Sequence, residues 1–328
     1  MAAKRTLHEQ IAANVRASWF YSFLMVLLLA ALGAVTGAVL DPNAWPLGAA
    51  LAAALGVAVA LFARYAGSKV ILALSGAREA TRDEFRVLDN VAEEMAIAAG
   101  IPKPKVMVID SPSPNAFATG PDPKNAVVVF TSGILSRLDR DELQGVMAHE
   151  IAHVRNYDIR FMTTIAMVAG LIPLLAYSLR RILWHGGGRR SRDNDSGSAI
   201  FLVLAILLSI LAPLFSMLLH MAVSRQREYL ADATAAQLTR YPEGLARALK
   251  KIASDPTPLE NANAATEHLY IVNPLHKFSE SLNSLFSTHP PVERRIQALM
   301  GLMGNYSAGR ALDDFSDMPS IPDQSGRG

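Results

Sequence analysis

Long uncharged stretches alternate along this chain with stretches of ordinary polarity. The first uncharged stretch lies between Arg16 and Asp41, and the second lies between Asp41 and Arg64. Each is long enough to cross the hydrocarbon core of a bilayer, which takes about 20 apolar residues. The segment that joins them, Asp41-Pro42-Asn43-Ala44-Trp45-Pro46, is rich in turn-forming residues. The pattern predicts a transmembrane helical hairpin over residues 1–67.

Basic residues predict the orientation of this hairpin. They lie on both sides of it but not in the turn: Lys4, Arg5 and Arg16 come before, and Arg64 and Lys69 come after. Because basic residues favour the cytoplasmic side, we expect the N-terminus and the chain after Arg64 to face the cytoplasm. A cleaved signal peptide would have a shorter apolar region, so the pattern favours a retained membrane anchor.

A second pair of uncharged stretches covers Phe161 to Leu179 and Ser196 to Ser224. The residues between them include five arginines, which disfavour an external loop and therefore two complete crossings. We expect a membrane-embedded hairpin over residues 161–224, since helices this apolar would otherwise expose much surface to water. Whether it spans the bilayer fully or only dips into it stays open.

The remaining segments, 68–160 and 225–304, have the polarity of a folded soluble domain. Apolar residues at helical spacing predict a helix over Thr81 to Ala99. Runs rich in β-branched and aromatic residues predict a small sheet, with strands at 105–110, 126–131 and, as a possible third, 115–120. Helices are expected over 225–238 and 244–253, and residues 305–328 read as a disordered tail.

Composition supports a membrane protein and excludes some partners. Of 328 residues, 51% are apolar and only 18% are charged, with a mean hydropathy of +0.23. The formal net charge of +2 argues against nucleic acid as a partner. The chain has no cysteine, so it forms no disulfide, and any metal must be held by histidines and carboxylates.

The most informative motif is His149-Glu150-Ile151-Ala152-His153. Residues four apart share one face of a helix, so His149 and His153 can bind the same metal ion. Glu150 lies beside that face and can act as general base on a water without binding the metal. Asp139 and Glu142, three residues apart, predict the start of this helix through a capping box.

Two histidines are too few for a catalytic zinc, which normally has three protein ligands and a water. Residues 225–232 contain Glu228 and Asp232 at helical i, i+4 spacing. One carboxylate could bind the metal while the other contacts a ligand histidine. A solvated helix face with Arg–Glu pairs would show the same spacing.

At this point the chain resembles the HtpX-type membrane zinc metalloproteases, within the gluzincin group that also holds the CAAX prenyl proteases. The resemblance covers nearly the whole chain and includes, besides the first hairpin, residues 115–120, 149–153, 225–232 and 288–291. It implies one zinc ion held by His149, His153 and Glu228, with Glu150 as the base. It also implies that Asp232 orients a ligand histidine.

The resemblance gives roles to two further segments. It places Thr288-His289-Pro290-Pro291 near the active site, where His289 would stabilise the charge that develops on the substrate and Arg294 would support it. It places Asn115 and Ala116 on an edge strand beside the zinc cleft, where a substrate backbone could pair. Alone, these segments would read as a turn histidine and an ordinary edge strand.

The sequence therefore predicts a mainly α-helical protein with a small β-sheet, integral membrane helices and a cytoplasmic gluzincin-like domain. The resemblance further implies a bacterial inner-membrane zinc endopeptidase that hydrolyses misfolded or membrane proteins in quality control under stress. Its partners would be protein or peptide substrates and the lipid bilayer. A non-cleaving membrane chaperone or scaffold is the alternative. An intramembrane protease or a transporter fits less well, because residues 138–160 are strongly charged and the first two uncharged stretches lack ionisable groups.

Overall fold

The computed structural model describes residues 7–163, 225–260, 262, 266–272, 274 and 290–302. Of the second predicted hairpin (161–224), only residues 161–163 lie within these ranges. His289 and the predicted tail at 305–328 lie outside them. The described part is mainly helical with one small mixed sheet, as the sequence predicts.

Two long antiparallel helices form the first hairpin, α1 (Leu7–Leu40) and α2 (Trp45–Leu74). In the turn between them, the Asp41 carboxylate accepts a hydrogen bond from the Asn43 amide at 2.9 Å. The helices approach closely at small residues, where Gly33 and Gly37 of α1 lie against Gly48 of α2 and leave no room for a Cβ atom. α2 continues to Leu74, beyond the expected boundary at residue 67.

The hairpin carries many exposed apolar side chains. Large ones such as Trp19, Phe23, Leu51 and Leu61 are about half exposed or more. Among the described residues, one helical segment, Trp45–Phe62, is both long and apolar enough to cross a membrane, with a mean hydropathy of 2.0. The apolar part of α1, Ser22–Ala38, is shorter.

The sheet has four strands in the order β1-β2-β4-β3. Their bounds are Ala77–Glu79 (β1), Lys105–Ile109 (β2), Ala116–Thr119 (β3) and Val127–Thr131 (β4). β2 and β4 are parallel, and the two outer strands are antiparallel to their neighbours. The three strands predicted from the sequence are confirmed. β1 was not predicted, because its three residues include no β-branched or aromatic side chain.

The helix that carries the metal motif is α5 (Arg140–Arg155). After the hairpin, the described residues contain six further helices: α3 (Arg82–Ala99), α4 (Ser132–Arg137), α6 (158–163), α7 (225–239), α8 (Pro242–Ser254) and α9 (292–302). The predicted capping box of α5 is confirmed, since Asp139 and Glu142 each accept a hydrogen bond from the other's amide at 2.9 Å. α5 packs against α3, α8 and β3, and residues 145–154 are all buried.

Gly145 lets α5 and α8 approach closely. A Cβ atom at this position would lie 2.6 Å from the Leu245 nitrogen and 2.8 Å from the Leu245 Cα atom. Both are backbone atoms of α8 and cannot move without shifting that helix. The contact holds the metal helix at a fixed distance from its neighbour.

We expect Gly145→Ala to lower the free energy of unfolding by about 2 kcal/mol, because the added methyl group overpacks this interface. Gly301→Ala is the matched control, since a Cβ atom there has nothing within 4 Å. It should stabilise α9 by about 0.5–1 kcal/mol through helix propensity. Thermal unfolding of the detergent-solubilised protein measures both, and equal melting temperatures for the two variants would contradict the close contact.

Candidate metal centre

α5 and α7 bring together the three residues that the sequence suggests as metal ligands. His149 and His153 lie one turn apart on α5, with their Nε2 atoms 3.2 Å from each other. Glu228 of α7 lies opposite, with its Oε1 atom 3.4 Å from His153 Nε2 and its Oε2 atom 3.7 Å from His149 Nε2. One ligand atom from each residue lies within 4.8 Å of the others, and all three residues are buried.

A carboxylate holds the other ring nitrogen of each histidine. Asp232 Oδ1 lies 2.9 Å from His149 Nδ1, and Asp158 Oδ2 lies 3.2 Å from His153 Nδ1. Such contacts keep the proton on Nδ1 and leave Nε2 free to bind a metal. Asp232 therefore occupies the position that the resemblance implies. Asp158, at the start of α6, was not singled out from the sequence.

A fully buried arginine joins the centre from α9. Arg295 donates two hydrogen bonds to the Asp232 carboxylate, at 2.8 Å from Nε and 2.7 Å from Nη2. Its Nη1 atom donates to the Ile271 carbonyl at 2.8 Å and lies 3.3 Å from Glu228 Oε2. The guanidinium group thus fixes Asp232 and also contacts a candidate ligand.

The supporting role predicted for Arg294 needs correction, since Arg294 is exposed whereas Arg295 is buried at the centre. Consecutive residues of a helix point about 100° apart, so only one of two adjacent arginines can face inward. The predicted segment does lie at the centre, but α9 is rotated so that its second arginine, Arg295, faces inward.

A second buried arginine holds Asp158. Arg227 Nη1 lies 2.7 Å from Asp158 Oδ1, and its guanidinium carbon lies 4.3 Å from the centre of the Phe161 ring. Arg227 precedes the candidate ligand Glu228, and Asp158 contacts the candidate ligand His153. This ion pair therefore fixes α6 and α7 to each other beside the centre.

Buried carboxyl groups outnumber buried guanidinium groups around the centre. Among the described residues, four buried carboxyl groups (Glu150, Asp158, Glu228 and Asp232) meet two buried guanidinium groups (Arg227 and Arg295). With all four carboxyl groups ionised and both histidines neutral, two negative charges remain, which a divalent cation would offset; without a cation, protons on Glu150 and His153 offset them, in keeping with the raised pKa of each. Burial makes uncompensated charge costly, so the cluster favours a cation at its middle.

The pKa values of both histidines respond to these buried charges. Burial lowers the pKa of His153, but its contacts with Asp158 and Glu228 outweigh burial and raise the pKa to about 10. Burial lowers the pKa of His149, and the Arg295 charge lowers it further against the pull of Asp232. The position next to His153 Nε2 therefore attracts positive charge, whether a proton or a metal ion supplies it.

Glu150 is buried on the side of α5 that faces the sheet. Burial raises its pKa to about 8, although the His153 charge and a hydrogen bond from the Ala118 amide act in the opposite direction. Ala118 lies on β3, so the candidate base contacts the backbone of an edge strand. A carboxyl group with this pKa can take up and release a proton near neutral pH.

Asn115 and Ala116 lie at the start of this edge strand, but the chain itself covers them. The Ala116 carbonyl accepts a hydrogen bond from the Ile271 amide at 2.9 Å. The Asn115 side chain accepts from the Ala116 amide at 3.0 Å and donates to the Val272 carbonyl at 2.8 Å. The structure confirms an edge strand but shows both residues buried against residues 271–272 instead of open to a cleft.

His289 lies outside the described residues, and its predicted role stays a prediction. The described residues that sequence reasoning missed are Asp158, Arg227, Arg295 and the Ala118 amide. Asp158 follows His153 by five residues, and Arg227 and Arg295 each lie beside a residue that was singled out. Their burial depends on tertiary contacts that no local spacing shows.

The donor set fits zinc. Two imidazole nitrogens and one carboxylate are a common ligand set of catalytic zinc sites, which leave a fourth position open. The set also contains no soft sulfur ligand, in keeping with the absence of cysteine from the chain. The carboxylate contact at the Nδ1 atom of each histidine is a further feature of such sites.

Comparisons with known proteins agree with this chemistry. The profile of peptidase family M48 matches residues 82–303. A protease HtpX homolog of Dictyoglomus turgidum is 46% identical over 294 residues, which are 90% of this chain and 94% of that protein. Another, from Caldanaerobacter subterraneus, is 45% identical over 302 residues, which are 91% of this chain and 99% of that protein.

A solved structure has a similar fold. The crystal structure of S. mikatae Ste24p matches with a TM-score of 0.50 and 21% sequence identity, over 86% of this chain and 66% of that one. The resemblance inferred from the sequence motifs is confirmed by these matches. This chain belongs to peptidase family M48, together with the HtpX homologs.

Proposed function

We propose that this chain is a membrane-bound zinc endopeptidase. The observation that carries the proposal is the buried centre in which His149, His153 and Glu228 converge, with Glu150 beside them. The ligand set, the charge deficit and the membership of a peptidase family support it. The proposed substrates are peptide bonds in misfolded or membrane proteins, which places the enzyme in protein quality control and the stress response.

His149, His153 and Glu228 would hold one zinc ion per chain. Zinc bound there would lower the pKa of a water molecule and polarise the scissile carbonyl group. Asp232 and Asp158 orient the two histidines, and Arg295 holds Asp232 in place. Arg295 thereby takes the supporting role that the sequence suggested for Arg294.

Glu150 would act as the general base. It would accept a proton from the attacking water and pass it to the leaving amine. The Ala118 amide holds the carboxyl group against β3 and so fixes its direction. His289 remains the proposed partner for the negative charge that develops on the substrate carbonyl oxygen.

Substrate would add as a strand to the edge of β3, beside Glu150. At Asn115 and Ala116 this edge already bonds to residues 271–272. A substrate strand that reached these two residues would have to displace that segment, because both would use the same hydrogen-bonding groups. Backbone pairing of this kind gives affinity with little sequence selectivity, as quality control requires.

The exposed apolar surface of α1 and α2 supports their place in a membrane. Basic residues at one end of the hairpin and none in its turn favour a bacterial inner membrane with the centre on the cytoplasmic side. We propose that 1–67 and 161–224 are the membrane parts of a multi-pass chain. Residues 68–160 and 225–304 would form the catalytic domain.

Glu150→Gln should reduce cleavage of casein at least about 100-fold, because loss of a general base typically costs this much or more. Bound zinc should stay near one per chain, since Glu150 is not a ligand. The measurement combines zinc content with the initial cleavage rate in detergent. Glu93→Gln, an exposed position on α3, is the matched control and should keep full activity.

Two results would decide between the proposal and its alternative. Full cleavage by the Glu150→Gln variant would show that Glu150 is not the base. Zinc binding by the wild-type chain without any cleavage of casein or membrane-protein substrates would favour the non-cleaving chaperone.

The orientation can be tested because the chain has no cysteine, so each introduced cysteine is its only thiol. A membrane-impermeant maleimide should label Asn43→Cys in intact cells whose outer membrane is permeabilised, since the turn faces outward. It should label Lys124→Cys, exposed near the sheet, only after lysis. Labelling of Lys124→Cys in intact cells would contradict a cytoplasmic catalytic domain.

A further inference from the structure

A pocket lies between the membrane hairpin and α6, away from the metal centre. Its volume is about 230 Å³. Apolar side chains of α1 and α2 line most of it, among them Trp19, Phe23, Val57 and Leu61. Arg64 of α2 and Arg160 of α6 also line it. The pocket is thus an apolar groove that carries two positive charges.

Arg64 and Arg160 bring two positive charges to the same pocket, although like charges repel each other. Burial lowers the pKa of Arg160, and the Arg64 charge lowers it further, more strongly than Asp122 raises it. The Nη1 atom of Arg64 is buried and has no hydrogen-bond partner among the described residues. A buried N–H group without an acceptor is costly, so the arrangement favours an anion between the two arginines.

The position of the pocket along the hairpin indicates what kind of anion fits. Arg64 lies two residues after the apolar span Trp45–Phe62, where a membrane helix passes from hydrocarbon to headgroups. Trp19 lies at the same pocket, with its ring 5.4 Å from the Arg160 guanidinium carbon, and tryptophan is enriched at this level of a bilayer. Phe23, Val57 and Leu61 line the part of the pocket that extends toward the hydrocarbon.

We propose that this pocket binds an anionic phospholipid, with the phosphate between Arg64 and Arg160 and an acyl chain along Phe23, Val57 and Leu61. The proposal rests on the membrane placement of the hairpin given above. Charge complementarity distinguishes the ligand from a zwitterionic lipid, and the apolar lining distinguishes it from free phosphate. Arg160 lies two residues after Asp158, which contacts His153, so the lipid would bind the helix segment that supports the metal centre.

The chain has three tryptophans, and Trp45→Phe with Trp184→Phe leaves Trp19 as a reporter inside the pocket. In detergent micelles, phosphatidylglycerol with brominated acyl chains should quench Trp19 fluorescence at about tenfold lower concentration than brominated phosphatidylcholine, since basic groups at the interface attract anionic lipid. Arg64→Gln with Arg160→Gln should abolish this difference. Arg64→Lys with Arg160→Lys should keep most of it, because both charges remain.

The control pair, Lys69→Gln with Arg86→Gln, removes two exposed charges outside the pocket and should keep the full preference. Equal quenching by the two lipids in the parent protein would overturn the proposal, and so would an equal loss of preference in the control pair. Displacement of the brominated lipid by millimolar inorganic phosphate would assign the site to a free anion instead. If neither lipid quenched Trp19, the membrane placement itself would fail, which separates the two claims.

Discussion

The candidate metal centre depends on one electrostatic constraint, the number of buried carboxyl groups around His149 and His153. Two guanidinium groups offset half of the four possible negative charges, and burial makes the remainder costly. Protons on Glu150 and His153, or a divalent cation, would offset this charge, and the cation would also link α5 to α7, which are far apart in sequence. The same constraint explains the rest of the arrangement, since Asp232 and Asp158 must be held by Arg295 and Arg227 to direct both imidazoles inward.

Local chemistry made much of this predictable from the sequence. The capping box of α5 and the shared face of His149 and His153 follow from helix geometry, and both occur in the structure. The i, i+4 spacing of Glu228 and Asp232 predicts that they share one helix face. The same spacing fits a metal site and a solvated face with Arg–Glu pairs equally well. In the structure both residues are buried against α5, so they do not lie on a solvated face. This burial cannot be read from the segment alone.

The residues that sequence reasoning missed act through tertiary contacts. The rotation of α9 about its axis turns Arg295 toward Asp232. The direction in which the chain leaves α5 brings Asp158 beside His153. β1 forms because Arg78 pairs with Asp110 and its backbone pairs with β2, not because its residues prefer a strand. Asn115 was placed on the right strand, but the segment that covers it comes from more than 150 residues later in the chain.

Zinc K-edge X-ray absorption of the purified protein tests the central claim most directly, because it reports the atoms that surround the metal. The account predicts one four-coordinate zinc per chain, with scattering from two imidazole rings at about 2.0–2.1 Å and from oxygen at a similar distance. Replacement of Glu228 by Ala should lower the zinc content well below one per chain, because only two protein ligands remain. A spectrum with fewer than two imidazoles, or full zinc content in the Glu228→Ala variant, would contradict a centre built from His149, His153 and Glu228.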